Sequence, residues 1–193
     1  MRLEILNSGY TFGTKVLFAF IQLASRRPVP DAAKLVFYRA DFYGEPMKLF
    51  THEAMRGPSA WSVGDRELMA AFVSKTNMSE FCIGAHTATA AGAYHDQARV
   101  AAVLSNLDTA PIEEPLRATL RMLQKLTREH TVEEADMRRV LDSGVSRAQI
   151  EDALAVCFAF NTTNRLADAF GFFVPGPKGF ESGAKYLLSR GYK

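Results

Sequence analysis

Two side chains that could perform thiol chemistry lie four residues apart in the segment NMSEFCIGAH. Cys82 precedes His86 by one helical turn, so on a helix both side chains project from the same face. An imidazole beside a thiol can act as its base, and the free amides at a helix N-terminus favour the thiolate. Asn77 or Ser79 could begin such a helix. The pattern is therefore compatible with an activated thiol, although spacing alone favours a buried structural cysteine beside a hydrogen-bonded histidine.

The other reactive residue types give weaker patterns. Cys82 and Cys157 are the two cysteines of the chain, which excludes a disulfide scaffold and indicates a reducing, cytoplasmic setting. Cys157 lies in the apolar run AVCFAF and is predicted to be a buried structural thiol. The sequence has no second cysteine pair and no compact histidine cluster, so it predicts no metal site. It implies no cofactor.

Composition and charge are those of a globular chain. With 48% hydrophobic and 23% charged residues, the 193 residues are predicted to form one domain. The balance of 23 basic and 21 acidic residues does not indicate nucleic-acid binding. The apolar run 16–24 is about half the ~20 residues that a membrane span needs, so residues 1–30 are predicted to be an N-terminal helical extension and no membrane association is expected. Residues 176–193 are predicted to form a C-terminal tail that is solvated or contacts a partner.

Helical periodicity runs through almost the whole chain, and no alternating segment indicates a strand, so the predicted fold class is all-α. Several side-chain positions follow from this periodicity. A helix over 31–44 is predicted to carry an apolar stripe of Leu35, Tyr38 and Phe42. Gly92 is expected to divide the segment 79–107 into two helices. In the helix that follows, the inward-facing residues are predicted to be Leu116, Leu120 and Leu123, and near the end of the chain Arg165 is expected to pair with Asp168.

The segment ELMAAFVSKTNMSEFCIGAH resembles the core motif of the alkyl hydroperoxidase D and carboxymuconolactone decarboxylase superfamily. That motif is a glutamate, eleven residues, then Cys-x-x-Cys-x-x-x-His. Glu67, Cys82 and His86 occupy the glutamate, second-cysteine and histidine positions, whereas Ser79 replaces the first cysteine. The flanking sequences GPSAWSVGDREL and FAFNTTNRLADAFGF are similar to the peroxidase-related branch, and the resemblance extends over roughly residues 31–175.

The resemblance implies an all-α helical bundle built around a helical hairpin, and a role for each motif residue. Cys82 would react with a hydroperoxide, and Glu67 with His86 would form the proton relay that deprotonates it. Ser79 cannot form the disulfide that the first cysteine supplies in the family, so an external thiol or redoxin would have to act as reductant. The resemblance also implies a homo-oligomer, a trimer or hexamer, with the N-terminal helix as a candidate subunit contact.

Two other functions are compatible with the same residues. The decarboxylase branch acts as a lyase on a lactone acid without a redox dithiol, and the absence of a thiol at Ser79 fits that chemistry. The other alternative is a catalytically inactive helical assembly protein, in which Cys82 and His86 would have no catalytic role. Because Glu67, Cys82 and His86 occur together, we favour a peroxidase-related thiol oxidoreductase with an antioxidant role.

Overall fold

The regular structure is entirely helical, which confirms the predicted fold class. The computed structural model describes residues 1–192, without the Ser25 side chain, so Lys193 at the end of the predicted tail lies outside the described residues. The helices are α1 (Ile5–Ser8), α2 (Phe12–Ser25), α3 (Asp31–Tyr38), a π-helical segment (Ala40–Gly44), α4 (Glu45–Arg56), α5 (Val63–Thr76), α6 (Glu80–Tyr94), α7 (Gln97–Ser105), α8 (Glu114–Glu129), α9 (Glu134–Asp142), α10 (Arg147–Phe170) and α11 (Pro177–Arg190).

The hairpin of α5 and α6 lies at the centre of the fold. Helix α5 begins with a capping box, in which the Ser62 side chain accepts from the Asp65 N–H and the Asp65 carboxylate accepts from the Ser62 N–H. Every residue from 66 to 74 is buried. The turn into α6 is tight: Met78 adopts a left-handed conformation (φ 59°), and the Ser79 N–H donates to the Ser74 carbonyl at 3.0 Å. This turn fixes Ser79, the residue that precedes α6, against the end of α5.

Helices α8, α10 and α11 enclose the hairpin. Helix α8 buries Leu116, Leu120 and Leu123 as predicted, and α10 packs against both α5 and α8. Helix α11 packs on α6, where Gly84 allows a close approach. A Cβ atom at Gly84 would lie 2.2 Å from the Phe180 ring, so the glycine is required for this contact.

The C-terminal segment differs from its prediction. Residues 177–190 form α11 and pack along α6, and Tyr192 beyond it reaches buried side chains of α5 and α6. The described part of the predicted C-terminal tail is therefore a helix packed on α6, followed by Tyr192 in contact with buried side chains. Lys178, Lys185 and Arg190 lie on the exposed face of this amphipathic helix.

Two predictions about helix continuity are also wrong. Helix α6 continues through Gly92 to Tyr94, and the missing side chain makes room for Leu188 of α11, 2.9 Å from where a Cβ would lie. The helix over 31–44 breaks at Arg39, where the backbone leaves the helical region before the π-helical segment. This break changes the direction of the following side chains, so Phe42 is 75% exposed while Leu35 is buried.

Helix α2 has an exposed apolar face. Phe12 is 83% exposed, Phe20 67% and Leu23 80%. Within the part of the chain that the structure describes, no helix is both long and apolar enough to cross a membrane.

Candidate active site

Glu67 and His86 meet between the two helices of the hairpin. Glu67 lies near the middle of α5 and is fully buried, and His86 of α6 is 5% exposed. The Nδ1 atom of His86 lies 2.7 Å from Oε2 of Glu67. Because an ionised carboxylate can only accept, this geometry assigns the ring proton to Nδ1 and leaves Nε2 as the free base. The structure thus brings together two side chains that are 19 residues apart in the sequence.

Two further donors bind the same carboxylate. Arg56 Nη2 donates to Oε1 of Glu67 at 2.6 Å, and the Tyr192 hydroxyl donates to the same oxygen at 2.9 Å. Burial alone would raise the pKa of Glu67, but the hydrogen bonds and charges of His86 and Arg56 outweigh it and hold the pKa below its usual range. Glu67 is therefore a buried, ionised carboxylate with three donors. Burial and the charge of Glu67 raise the pKa of Tyr192 well above its ordinary value, so its hydroxyl stays protonated.

Arg56 and Tyr192 also join the C-terminal segment to α4. Arg56 donates to the Leu187 carbonyl of α11 at 3.1 Å and lies over the Tyr192 ring, with Cζ 5.1 Å from the centroid. The Tyr192 N–H donates to His52 Nδ1 at 3.2 Å. Sequence reasoning missed both Arg56 and Tyr192. A buried glutamate requires a cationic partner, but no spacing rule distinguishes Arg56 from the nearby Arg66.

Cys82 lies one turn from His86 on α6, in a separate apolar environment. Its side chain is 1% exposed and packs in a cluster with Leu6 of α1, Leu35 of α3 and Phe172 after α10. Within the described residues, no hydrogen bond joins Cys82 to His86. The N-terminal helices therefore shield the thiol in this conformation.

Burial raises the pKa of the Cys82 thiol to about 12; the Ser79 hydroxyl lowers it in part, and the Asp168 charge raises it further. Burial therefore outweighs the helix N-terminus and the imidazole, the two features of the sequence that favour a thiolate. The cost of removing a charge from water exceeds the helix-dipole effect, which amounts to only about 1 kcal/mol near a helix end. The thiol is protonated at rest.

Ser79 is the first residue before α6 but does not cap the helix through its side chain. Its hydroxyl donates to Oδ1 of Asp168 at 2.9 Å. The predicted pair of Arg165 with Asp168 is consequently wrong, since Arg165 donates instead to the carbonyl and side-chain oxygens of Asn161. The serine thus joins the start of α6 to the end of α10 beside the thiol.

Cys157 belongs to a different cluster. It is buried on α10 in the main core, where Asn161 Nδ2 lies 3.2 Å from its sulfur and the Thr127 hydroxyl lies 3.7 Å away. Burial raises the pKa of this thiol as well. The prediction of a buried cysteine is confirmed. Within residues 1–192, no group of three or more histidine, cysteine, aspartate or glutamate side chains is placed to hold a metal ion.

Alkylation of Cys82 is expected to be slow at neutral pH and to accelerate with pH without reaching a plateau below about pH 10. A rise of the thiol pKa from 9.0 to about 12 lowers the thiolate population about 1,000-fold. The measurement uses iodoacetamide on the Cys157→Ser variant, so that Cys82 is the only thiol. Denaturant provides the control, because unfolding should restore an ordinary rate. A plateau near pH 8.5 in the folded protein would contradict the shielded thiol.

Two solved structures are similar to this one. An uncharacterized peroxidase-related protein from Silicibacter sp. TM1040 is 25% identical, with a TM-score of 0.78 and 93% of each chain covered. An uncharacterized peroxidase-related protein from Ralstonia eutropha JMP134, described as an alkylhydroperoxidase AhpD core, is 21% identical, with a TM-score of 0.74 over 92% of each chain. No protein-family model matches the sequence, and no curated protein matches it. The chain therefore has the all-α fold of these peroxidase-related proteins and of the AhpD core.

Proposed function

We propose that the protein is a thiol oxidoreductase that reduces a hydroperoxide through Cys82. The observation that carries the proposal is the 2.7 Å contact between Glu67 and His86, with Cys82 one turn before that histidine on α6. A buried carboxylate that fixes the tautomer of a histidine is the arrangement that a general base for a nearby nucleophile requires. The peroxidase-related neighbours have the same fold.

The proposed reaction begins from the protonated thiol. When a hydroperoxide displaces the apolar cover, Nε2 of His86 accepts the Cys82 proton, and the sulfur attacks the terminal peroxide oxygen. An S–O bond forms, the O–O bond breaks, and the electron pair leaves with the alkoxide, which takes the proton from His86. The products are an alcohol and a sulfenic acid at Cys82. Glu67 stabilises the imidazolium that forms between the two transfers.

Ser79 determines how the cycle closes. Its hydroxyl cannot condense with the sulfenic acid, and Cys157 lies in a different buried cluster. An external dithiol, a small molecule or a redoxin, therefore supplies the electrons: one thiol displaces water from the sulfenic acid, and the second resolves the mixed disulfide. The products are the Cys82 thiol, water and the oxidised reductant.

The test is hydroperoxide consumption coupled to oxidation of an added dithiol. The proposal requires turnover by the wild-type protein and its loss in Cys82→Ser, with retention in Cys157→Ser. Absence of dithiol-dependent turnover in the wild type would eliminate the proposed function.

A lyase acting on a lactone acid is the second candidate. The raised pKa of the Cys82 thiol favours it, because the ionised Glu67 and the His86 base are in place without any contribution from the sulfur. Proton transfer to and from carbon would need only that pair. Such an activity should survive Cys82→Ser, which separates the two candidates in one variant.

Restoring the thiol at position 79 should simplify the cycle. In Ser79→Cys, the introduced thiol would lie beside Cys82 at the start of α6, so peroxide treatment is expected to give an intramolecular disulfide and a several-fold increase in dithiol-dependent turnover. Mass spectrometry of the tryptic peptides measures the loss of two hydrogens. The matched control is Ser74→Cys, on α5, where the Ser74 hydroxyl bonds to Asn164. If the thiols at positions 79 and 82 both stay free after peroxide treatment of Ser79→Cys, the assigned geometry is contradicted.

A homo-oligomer, with a trimer or hexamer as the expected form, is part of the proposal. The exposed face of α2, which carries Phe12, Phe20 and Leu23, supports it, because contiguous exposed apolar side chains mark interaction surfaces. In such an assembly the N-terminal helices would both cover Cys82 and contact a neighbouring copy.

A further inference from the structure

Arg56 and Tyr192 occupy the one oxygen of Glu67 that His86 does not use. Arg56 Nη2 and the Tyr192 hydroxyl lie 2.6 and 2.9 Å from Oε1, while His86 Nδ1 lies 2.7 Å from Oε2. The Tyr192 hydroxyl is also 3.4 Å from Nδ1 of His86, and the two rings are stacked at an interplanar angle of 14°. Both oxygens of the carboxylate are thus fixed, one by the histidine and one by α4 and the C-terminal segment.

We propose that Arg56 and Tyr192 are positioning residues of this site, which hold the Glu67 carboxylate so that Nδ1 of His86 carries the proton and Nε2 is the base. Through Tyr192, the docked C-terminal segment regulates how readily His86 takes a proton. The inference relies on the proposed function only where it assigns this base to Cys82.

The direction of the regulation follows from charge sharing. Three donors share the negative charge of the Glu67 carboxylate. Each hydrogen bond therefore weakens the attraction between this carboxylate and a charged imidazole. Without the Tyr192 hydroxyl, the Glu67 carboxylate would attract a protonated His86 more strongly.

The titratable groups around the Glu67–His86 pair come from several elements. They are Arg66 on α5, Arg56 and His52 on α4, Tyr192 after α11 and Cys82 on α6. Helix α10 contributes Phe160, which does not titrate and contacts the His86 ring edge-on at 4.2 Å. Among these groups, Tyr192 is the one whose hydroxyl can be removed while its ring remains in place against both His86 and Arg56.

The experiment is an NMR titration of the His86 ring protons in wild type and Tyr192→Phe, with the resonance assigned by its loss in His86→Ala. The midpoint in Tyr192→Phe is expected to rise by on the order of one pH unit, because a hydrogen bond to a charged group is being removed. Tyr186→Phe is the matched control: it makes the same change on an exposed side chain of α11 and should leave the midpoint unchanged.

A second measurement separates positioning from packing. In a Glu67→Gln background, Tyr192→Phe should shift the His86 midpoint by less than about 0.2 pH unit, because the hydroxyl acts through the carboxylate charge. An unchanged or lowered midpoint in Tyr192→Phe alone would overturn the inference, as would an equal rise in the Glu67→Gln background. The titration contains no hydroperoxide, so the expected shift in a protein without turnover would reject the proposed function and leave this inference standing.

Discussion

Cys82→Ser is expected to lower dithiol-dependent hydroperoxide turnover by at least about 1,000-fold, the scale on which removing a covalent nucleophile acts. A serine hydroxyl at this position keeps the size of the side chain but cannot reduce an O–O bond, because it has no accessible sulfenic-acid state. The measurement is the initial rate of hydroperoxide loss with excess dithiol, corrected for the rate without protein. The expected loss of turnover is far larger than the loss that a change in packing at this position would cause.

Cys157→Ser is the matched control for this prediction. It makes the same change at the other buried cysteine, where Thr127 and Asn161 can hydrogen-bond a hydroxyl as they do the thiol. Turnover should stay close to that of wild type, because Cys157 takes no part in the proposed reaction. Equal losses in both variants would indicate a general effect of thiol removal and would contradict the assignment to Cys82. Conversion of a lactone acid that survives Cys82→Ser would instead establish the lyase candidate.

Glu67→Ala is expected to lower the free energy of unfolding by about 3–5 kcal/mol, the range measured when one partner of a buried ion pair is removed. Alanine would leave the Arg56 guanidinium and the Tyr192 hydroxyl buried without their acceptor and would free the His86 ring. Urea unfolding followed by circular dichroism measures the change. The control is Glu181→Ala on α11, where the carboxylate pairs with Lys185 at 2.7 Å but both side chains are more than half exposed, so little change in stability is expected. A loss below 1 kcal/mol in Glu67→Ala would show that the buried cluster does not stabilise the fold.

The same variant has a defined pH dependence. The folded-state pKa of Glu67 is below that of an unfolded glutamate, near ~4.3, so its contribution to stability is fully present above the unfolded value. As the pH falls through the folded pKa, the carboxylate becomes protonated in both states and the contribution is lost. The difference in unfolding free energy between wild type and Glu67→Ala should therefore shrink below about pH 4. A difference that stays constant down to pH 3 would contradict the ionised state of Glu67.

The parts of the fold set by local sequence were predictable. Capping at Ser62, the buried stripe of α8 and the end of α10 at Gly171 follow from residue types within one or two turns of each other. The placement of Glu67 against His86 could be expected from the motif, although only the folded hairpin gives their contact. Predictions failed where distant segments meet: Gly92 permits the approach of α11 and does not break α6.

The site itself shows the same limit. The pKa of Cys82 depends on Leu6, Leu35 and Phe172, which lie 76, 47 and 90 residues from it, so the local pattern of a thiol at a helix N-terminus gave the wrong direction. Tyr192 is 125 residues from Glu67, and no motif connects them. Local chemistry identified the candidate residues, but long-range packing determines their protonation.

The central claim, that Cys82 reduces a hydroperoxide with the help of the Glu67–His86 pair, is tested most directly by trapping its oxidised state. The Cys157→Ser variant is treated with one equivalent of an organic hydroperoxide in the presence of a cyclic 1,3-diketone, which forms a stable adduct with sulfenic acid, and Cys82 is examined by peptide mass spectrometry. The account predicts an adduct on Cys82 that forms at least about 100-fold more slowly in His86→Ala, the usual effect of removing a general base. No adduct on Cys82, or equal rates with and without His86, would contradict it.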